Sequence, residues 1–350
     1  LHLQTRFEVK QESKIPALDK IIRECRKAVV VAHFNPDGDA VGSIVGLYHY
    51  LKGRGIDVTA MLPSLYPDFL AFLNPSEKGI VIFKDEQEKA LEILAGADTI
   101  FCLDFNRMSR TEFMADALTG SKAAKVLIDH HIAPETDNFD LVISTIETSS
   151  TCELLFWTLM ELPDVNGDAG NLTMECVNAL YTGMMTDTNN FSNSVLPSTF
   201  RMGAALLERG VDKTALQYNV LNVYSEDRMR LMGHLLKDKM VVLDKYDASY
   251  MLLSNKEKDA HNFKIGDSEG FVNLPLSIGK VTMSALFTEN FDGAYIRVSL
   301  RSKGDVDVNT LSNRYFNGGG HKNAAGGRLY MPLEEVPAYF EKSLKEYFEK

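Results

Sequence analysis

Apolar positions change their period along the chain, and the changes divide it. An amphipathic stretch with Leu18, Ile21, Ile22 and Cys25 on one helical face leads into KAVVVAHF (27–34), whose unbroken apolar run reads as a buried strand. A polar turn follows, and then a helical pattern from about 39 to 53. Short apolar runs recur at VTAML (58–62), TIFCLD (99–104) and KVLID (125–129), separated by helical or loop segments. That alternation predicts a parallel sheet with helices on its faces. Over 150–162, 171–185 and 197–210 the spacing is helical without strand runs, and 211–245 reads as further helix. DASYMLLS, GKVTMSALFTE and AYIRVSLRS then restore a strand pattern. The predicted class is α/β: a mainly parallel sheet domain over 1–190, a helical linker over 191–244 and a smaller α/β domain over 245–350, with no internal repeat.

Composition narrows the partners. With 350 residues, of which 45% are hydrophobic and 24% charged, the chain can bury a sizeable core and suits two domains. Thirty-seven basic against 48 acidic residues give a net charge of −11, which opposes a long duplex held by counterion release. A small phosphorylated ligand remains open, because a divalent metal inverts the field inside one cleft. Four scattered cysteines (25, 102, 152, 176) suggest neither a disulfide framework nor a zinc pair and fit a reducing compartment. The opening LHLQTRFEVKQESK lacks the apolar centre of a signal peptide, and no apolar run approaches a membrane span. The expectation is a soluble cytoplasmic protein without a membrane partner.

Candidate chemistry gathers at strand ends. HFNPDGDAVGS places His33, Asp37 and Asp39 in the loop after the first strand, where open α/β sheets bind ligands. These acids also have an ordinary explanation, as turn residues and helix caps. TIFCLD closes on Asp104, and KVLIDHH closes on Asp129, His130 and His131; three strands ending this way exceed what turn chemistry requires. YTGMMTDTNNFSNS adds Asp187 after an apolar helix. Histidines with several carboxylates suit Mn²⁺ or Mg²⁺, and the surplus of acids suits two cations about 3.5 to 4 Å apart, able to activate water against phosphorus. In the second domain YIRVSLRSKG offers Arg297 and Arg301, and NGGGHKNAAGG offers Gly318, Gly319, Gly320 and His321, a backbone able to curl around phosphate or simply a flexible turn.

Read in order, HFNPDGDAVGS, Asp104, IDHH, Asp187 and GGGH make the chain resemble the DHH phosphoesterase family with its DHHA1 partner domain, over about residues 20–345. Within that family it looks most like the bacterial oligoribonucleases (nanoRNases) that also dephosphorylate 3′-phosphoadenosine 5′-phosphate (pAp). The resemblance implies an active site in the cleft between the domains and two Mn²⁺ ions, with Mg²⁺ or Co²⁺ as substitutes. By resemblance His33, Asp37 and Asp104 hold one ion, while Asp39, Asp104, His130 and Asp187 hold the other, Asp104 bridging. Asp129 then orients His130, His131 and Arg110 serve the reacting phosphate, and Arg301 and His321, with the backbone of Gly318, Gly319 and Gly320, grip a terminal phosphate. The implied partner is a short RNA or nucleotide, and a homodimer stays open.

Several activities share these motifs. A RecJ-like exonuclease would need a long basic channel, which the net charge does not favour. A pyrophosphatase or exopolyphosphatase would be expected to carry a Lys/Arg-rich second domain, and a sensor without catalysis would be expected to have lost ligands. Linear pGpG or pApA from cyclic dinucleotide turnover is a further substrate class.

Overall fold

Strand β1 (Lys27–Val31) follows helix α1 (Ile15–Glu24) and is buried along its last four residues, which alternate between two cores: Ala28 and Val30 face one, Val29 and Val31 the other. The structure is a computed structural model describing residues 14–75, 79–221 and 224–349; the amino-terminal segment read for a signal peptide lies outside the described residues. After β1 come α2 (Gly38–Gly53), β2 (Asp57–Leu62), β3 (Val81–Ile82), α3 (Gln87–Gly96), β4 (Thr99–Leu103), α4 (Ala115–Gly120), β5 (Ala124–Asp129), β6 (Leu141–Ser144), α5 (Thr151–Met160), α6 (Met174–Asp187), α7 (Pro197–Arg209) and α8 (Lys213–Leu221). The six strands are parallel in the order β3-β2-β1-β4-β5-β6. The chain winds outward from β1 through β2 and then returns to β1's other side with β4. Loops leaving β1 and β4 therefore diverge, and the crevice beyond their carboxyl ends is where such sheets bind ligands.

Helices α2 and α6 approach unusually closely. Gly38, Gly42 and Gly46 form an i, i+4 row on α2. A Cβ at Gly42 would stand 2.7 Å from the Ala179 carbonyl oxygen and 3.0 Å from Gly183 Cα, so only glycine fits. This contact brings the first turn of α2 beside the last turn of α6.

The chain divides into two units, Leu1–Val223 and Tyr224–Lys350. Of the segment expected as a linker, α7 and α8 supply Met202, Leu206, Leu216 and Val220 to the first unit's core. The remainder opens the second unit with α9 (Glu226–His234), a π-helical turn over Leu235–Lys239 and β7 (Val241–Leu243). β7 is a strand where helix was expected; three apolar residues carry no period of their own, and pairing with the next strand decides their state. Then follow β8 (Ala248–Leu253), α10 (Asn255–Ala260), β9 (Met283–Glu289), β10 (Ile296–Ser302), α11 (Val308–Tyr315), β11 (Gly319–His321), β12 (Ala324–Leu329) and α12 (Val336–Phe348). Their mixed sheet runs β11-β12-β10-β9-β8-β7, parallel only between β8 and β9. Leu311, Phe340 and Leu344 of α11 and α12 cover one face, and Leu231 and Leu235 the other.

Candidate functional site

At the carboxyl edge of the first sheet, His33 and Asp37 follow β1, Asp104 follows β4, Asp129 ends β5, and His130 and His131 come directly after it. Asp104 adopts a left-handed backbone (φ 61°), a conformation that Asp tolerates better than most residues. Its Oδ2 lies 3.4 Å from His33 Nε2, and its Oδ1 lies 3.6 Å from His130 Nε2. One carboxylate thus faces two histidines through different oxygens. His33 Nε2 is also 3.9 Å from Asp37 Oδ1, while His130 Nε2 is 3.8 Å from Asp39 Oδ2 and 3.7 Å from Asp187 Oδ2. His33 Nδ1 bonds to the Phe34 carbonyl at 2.8 Å, which makes Nδ1 the donor and leaves the Nε2 lone pair toward the acids.

Asp37 serves as turn and cap as well: its Oδ1 accepts from the Asp39 and Ala40 amides at the start of α2. Asp39 accepts from the Thr151 amide (2.7 Å, Oδ2) and the Cys152 amide (2.9 Å, Oδ1) at the N-terminus of α5, and Thr151 Oγ1 donates to Asp104 Oδ1 at 2.9 Å. Asp129, expected beside His130, accepts from His131, at 3.1 Å from its amide and 2.7 Å from Nδ1. Arg110 sits half-buried on the turn Met108–Met114, and its charge helps hold His33's pKa below the usual histidine value, after burial.

Asp39 and Asp104 are 2% exposed and Asp129 is fully buried, so the acids repel one another away from water. Burial first, then Asp37, pushes Asp39 up to about 6. Burial, then Asp39, Asp37 and Asp129, pushes Asp104 well above the carboxylate range. Crowded oxygens and imidazole nitrogens of this kind are the donor set of a hard divalent cation, whose charge resolves the repulsion. Three groupings of potential ligands, His33–Asp37–Asp104, Asp39–Asp104–His130 and Asp104–Asp129–His131, share Asp104.

In the second unit, Arg301 on β10 and His321 on β11 both pair with Ala324 of β12, from its two sides. Directly opposed residues share a sheet face, so Arg301 and His321 flank a floor of Ala324, Gly326 and Gly319. Arg297 and Arg328 pair on the same face. The glycine run is a strand edge rather than a flexible turn, since a Cβ at Gly318 would fall 1.9 Å from the Gly326 carbonyl oxygen. Two of its amides serve internal acceptors: Gly318 donates to Ser312 O at 3.4 Å and Gly320 to Asn309 Oδ1 at 2.8 Å. The expected phosphate cradle of three glycine amides is reduced accordingly.

Sequence reasoning missed Thr151, the Cys152 amide and Arg328. The Ser150-x-x-Glu153 signature marks where α5 starts, with Ser150 Oγ accepting from the Glu153 amide at 3.0 Å, but no residue pattern says where that helix points.

Sheet order and donor set define an α/β protein with side-chain clusters at the strand carboxyl ends that could hold a metal ion. The chain belongs to the DHH family, whose N-terminal domain matches residues 27–184, and carries a DHHA1 domain over 248–350; it is a hydrolase acting on phosphoester bonds. An exopolyphosphatase-related protein from Bacteroides fragilis, known as a crystal structure, is 39% identical, with 96% of each chain covered and a TM-score of 0.88. A probable bifunctional oligoribonuclease and PAP phosphatase of Streptococcus mutans is 28% identical across 94% of this chain and 96% of its own length. The bifunctional oligoribonuclease and PAP phosphatase of Thermus thermophilus is 28% identical across 89% of this chain and 88% of its own. Among the described residues no helix is long and apolar enough to cross a membrane.

Proposed function

We propose that the protein is a Mn²⁺-dependent phosphoesterase that cuts short oligoribonucleotides to nucleoside 5′-monophosphates and converts pAp to AMP and phosphate. Asp104 carries this reading, because its two oxygens address two histidines and so fit a bridge between two cations. The names of the S. mutans and T. thermophilus relatives support the substrate class. His33, Asp37 and Asp104 would hold one ion, and Asp39, Asp104, His130 and Asp187 the other. When bound, the cations supply positive charge to the phosphoryl oxygens and make water acidic enough to attack phosphorus. The Thr151 and Cys152 amides fix the angle of Asp39, and Thr151 Oγ1 that of Asp104. With Nδ1 donating to Asp129, the His131 ring is held in one orientation, from which it would steady the developing charge on the phosphoryl oxygens. In the second unit Arg301 and His321 hold the terminal phosphate, with Arg297 and Arg328 adding charge on that face.

Product analysis with purified protein and Mn²⁺ on pAp, a 5′-phosphorylated dinucleotide, a 24-nucleotide RNA and polyphosphate tests this reading. AMP and phosphate from pAp, mononucleotides from the dinucleotide and slow turnover of the long RNA are expected. Equal rates on dinucleotide and 24-mer would favour an exonuclease. Turnover of polyphosphate alone would favour the second reading, which the name of the B. fragilis structure supports.

A further inference from the structure

Phe113 sits on the turn Met108–Met114, and 46% of its surface is exposed. A lone exposed phenylalanine is ordinary. This one is held between two other rings: Phe34 meets it edge-on at 5.6 Å, and Phe83, which is 2% exposed, stacks behind it at 6.1 Å with an interplanar angle of 25°. Phe34 immediately follows His33, and Phe83 follows β3, so all three rings belong to the carboxyl edge that carries the acids. The Phe34 amide donates to the Arg110 carbonyl at 2.8 Å, which fastens the turn to the loop after β1. Glu112 adopts φ 52° and ψ −124° just before the ring, a strained conformation that re-aims the chain there. Arg110, on the same turn, is near enough for its charge to act on His33 and Asp37, yet its guanidinium has no hydrogen bond or ion pair among the described residues. A cation with no direct ion pair, on the same turn as a fixed, open aromatic face, suits a ligand that is phosphate at one end and a flat ring at the other.

We infer that the turn Met108–Met114 is the first unit's nucleotide-recognition element, with Arg110 on a phosphoryl oxygen and Phe113 stacking the base attached to the phosphate under attack. This inference rests on the nucleotide reading proposed above and deepens it. Pyrophosphate and polyphosphate carry no base, so Phe113 would be the feature that separates nucleotides from them.

The test compares pAp with its tetrahydrofuran abasic analogue as substrates of the Mn²⁺-loaded protein. Wild type should show a KM for pAp about tenfold or more below that of the abasic compound, the discrimination expected of one base stack. In Phe113→Ala the two KM values should converge, and Phe113→Tyr, which keeps the ring, should restore the gap. A gap that survives in Phe113→Ala would overturn the inference. A second readout is independent of turnover: indole emission of Phe113→Trp, taken against wild type to subtract Trp157, should be quenched by AMP. Failure of wild type to hydrolyse pAp would refute the nucleotide reading, whereas quenching by AMP would still support the stack and absence of quenching would refute it.

Discussion

Replacing Gly42 by alanine tests whether the close approach of α2 and α6 sets the geometry of the candidate metal centre. The added Cβ would sit 2.7 Å from Ala179 O and 3.0 Å from Gly183 Cα, both backbone atoms that no rotamer change can move. Reaching ordinary contact at 3.4 Å requires the helices to part by about 0.7 Å, the difference between 3.4 and 2.7 Å. Gly42 lies one turn beyond Asp39, and Gly183 one turn before Asp187, so the parting separates two carboxylates that both face His130. Metal coordination tolerates only about 0.2 Å, and disturbing the groups that orient ligands costs roughly 10- to 100-fold in affinity. Overpacking costs about 1–3 kcal/mol, offset by about 1 kcal/mol of helix propensity gained over glycine. Gly53→Ala is the control: it ends the same helix with nothing within 4 Å of its Cβ, so it should raise the melting temperature. Calorimetric titration with Mn²⁺ and thermal melting of both variants give the readout. If Gly42→Ala binds Mn²⁺ like wild type, the helix contact does not govern the site.

Asp104→Ala should lower kcat by about a thousandfold or more, because it removes the ligand common to all three groupings, and near wild-type turnover on pAp would contradict the bridge. In metal-free protein, Asp39's raised pKa means that the fold prefers the protonated acid, so its contribution to stability is present below the ordinary Asp value of about 3.9 and is lost as pH rises through about 6. Melting in EDTA should decline over that window and Mn²⁺ should remove the decline; identical profiles would refute the account of crowded acids. Glu257 shows the opposite sign: the Ser254 amide and hydroxyl, His234 and Lys239 surround it and, against burial, hold it down to about 2. Its contribution is present above the ordinary Glu value of about 4.3 and is lost toward pH 2. Glu257→Gln should therefore lower the melting temperature at neutral pH by an amount that shrinks on acidification, and a deficit independent of pH would count against the charge.

The strands that carry the acids were legible because buried parallel strands write themselves as unbroken apolar runs, and a run closing on Asp or His names its own edge residue. Asp104, Asp129 and His130 were found that way, and the structure gathers them with His33, Asp39 and Asp187. Strands β3 and β6 escaped because two to four residues are too few to show a period. The Thr151 and Cys152 amides escaped because a backbone donor has no residue signature. Gly38, Gly42 and Gly46 are visible as a spacing, but their meaning depends on Ala179 and Gly183, more than a hundred residues away. Arg328 shares a face with Arg301 and His321 only through the register of β12, which the sequence does not write.

Every candidate ligand in the first unit falls between His33 and Asp187, and the helices completing that unit's core end at Leu221. During synthesis every candidate ligand of the first unit is therefore in the chain before the second unit, Tyr224–Lys350, is made. Amino-terminal domains tend to fold as units as they emerge from the ribosome, before the rest of the chain follows. A nascent first unit thus meets the cell's cations before the second unit is complete. Affinity order alone would hand such a site to the tightest-binding transition metal, so an ion taken up at that moment would reflect which cations are abundant beside the translating ribosome.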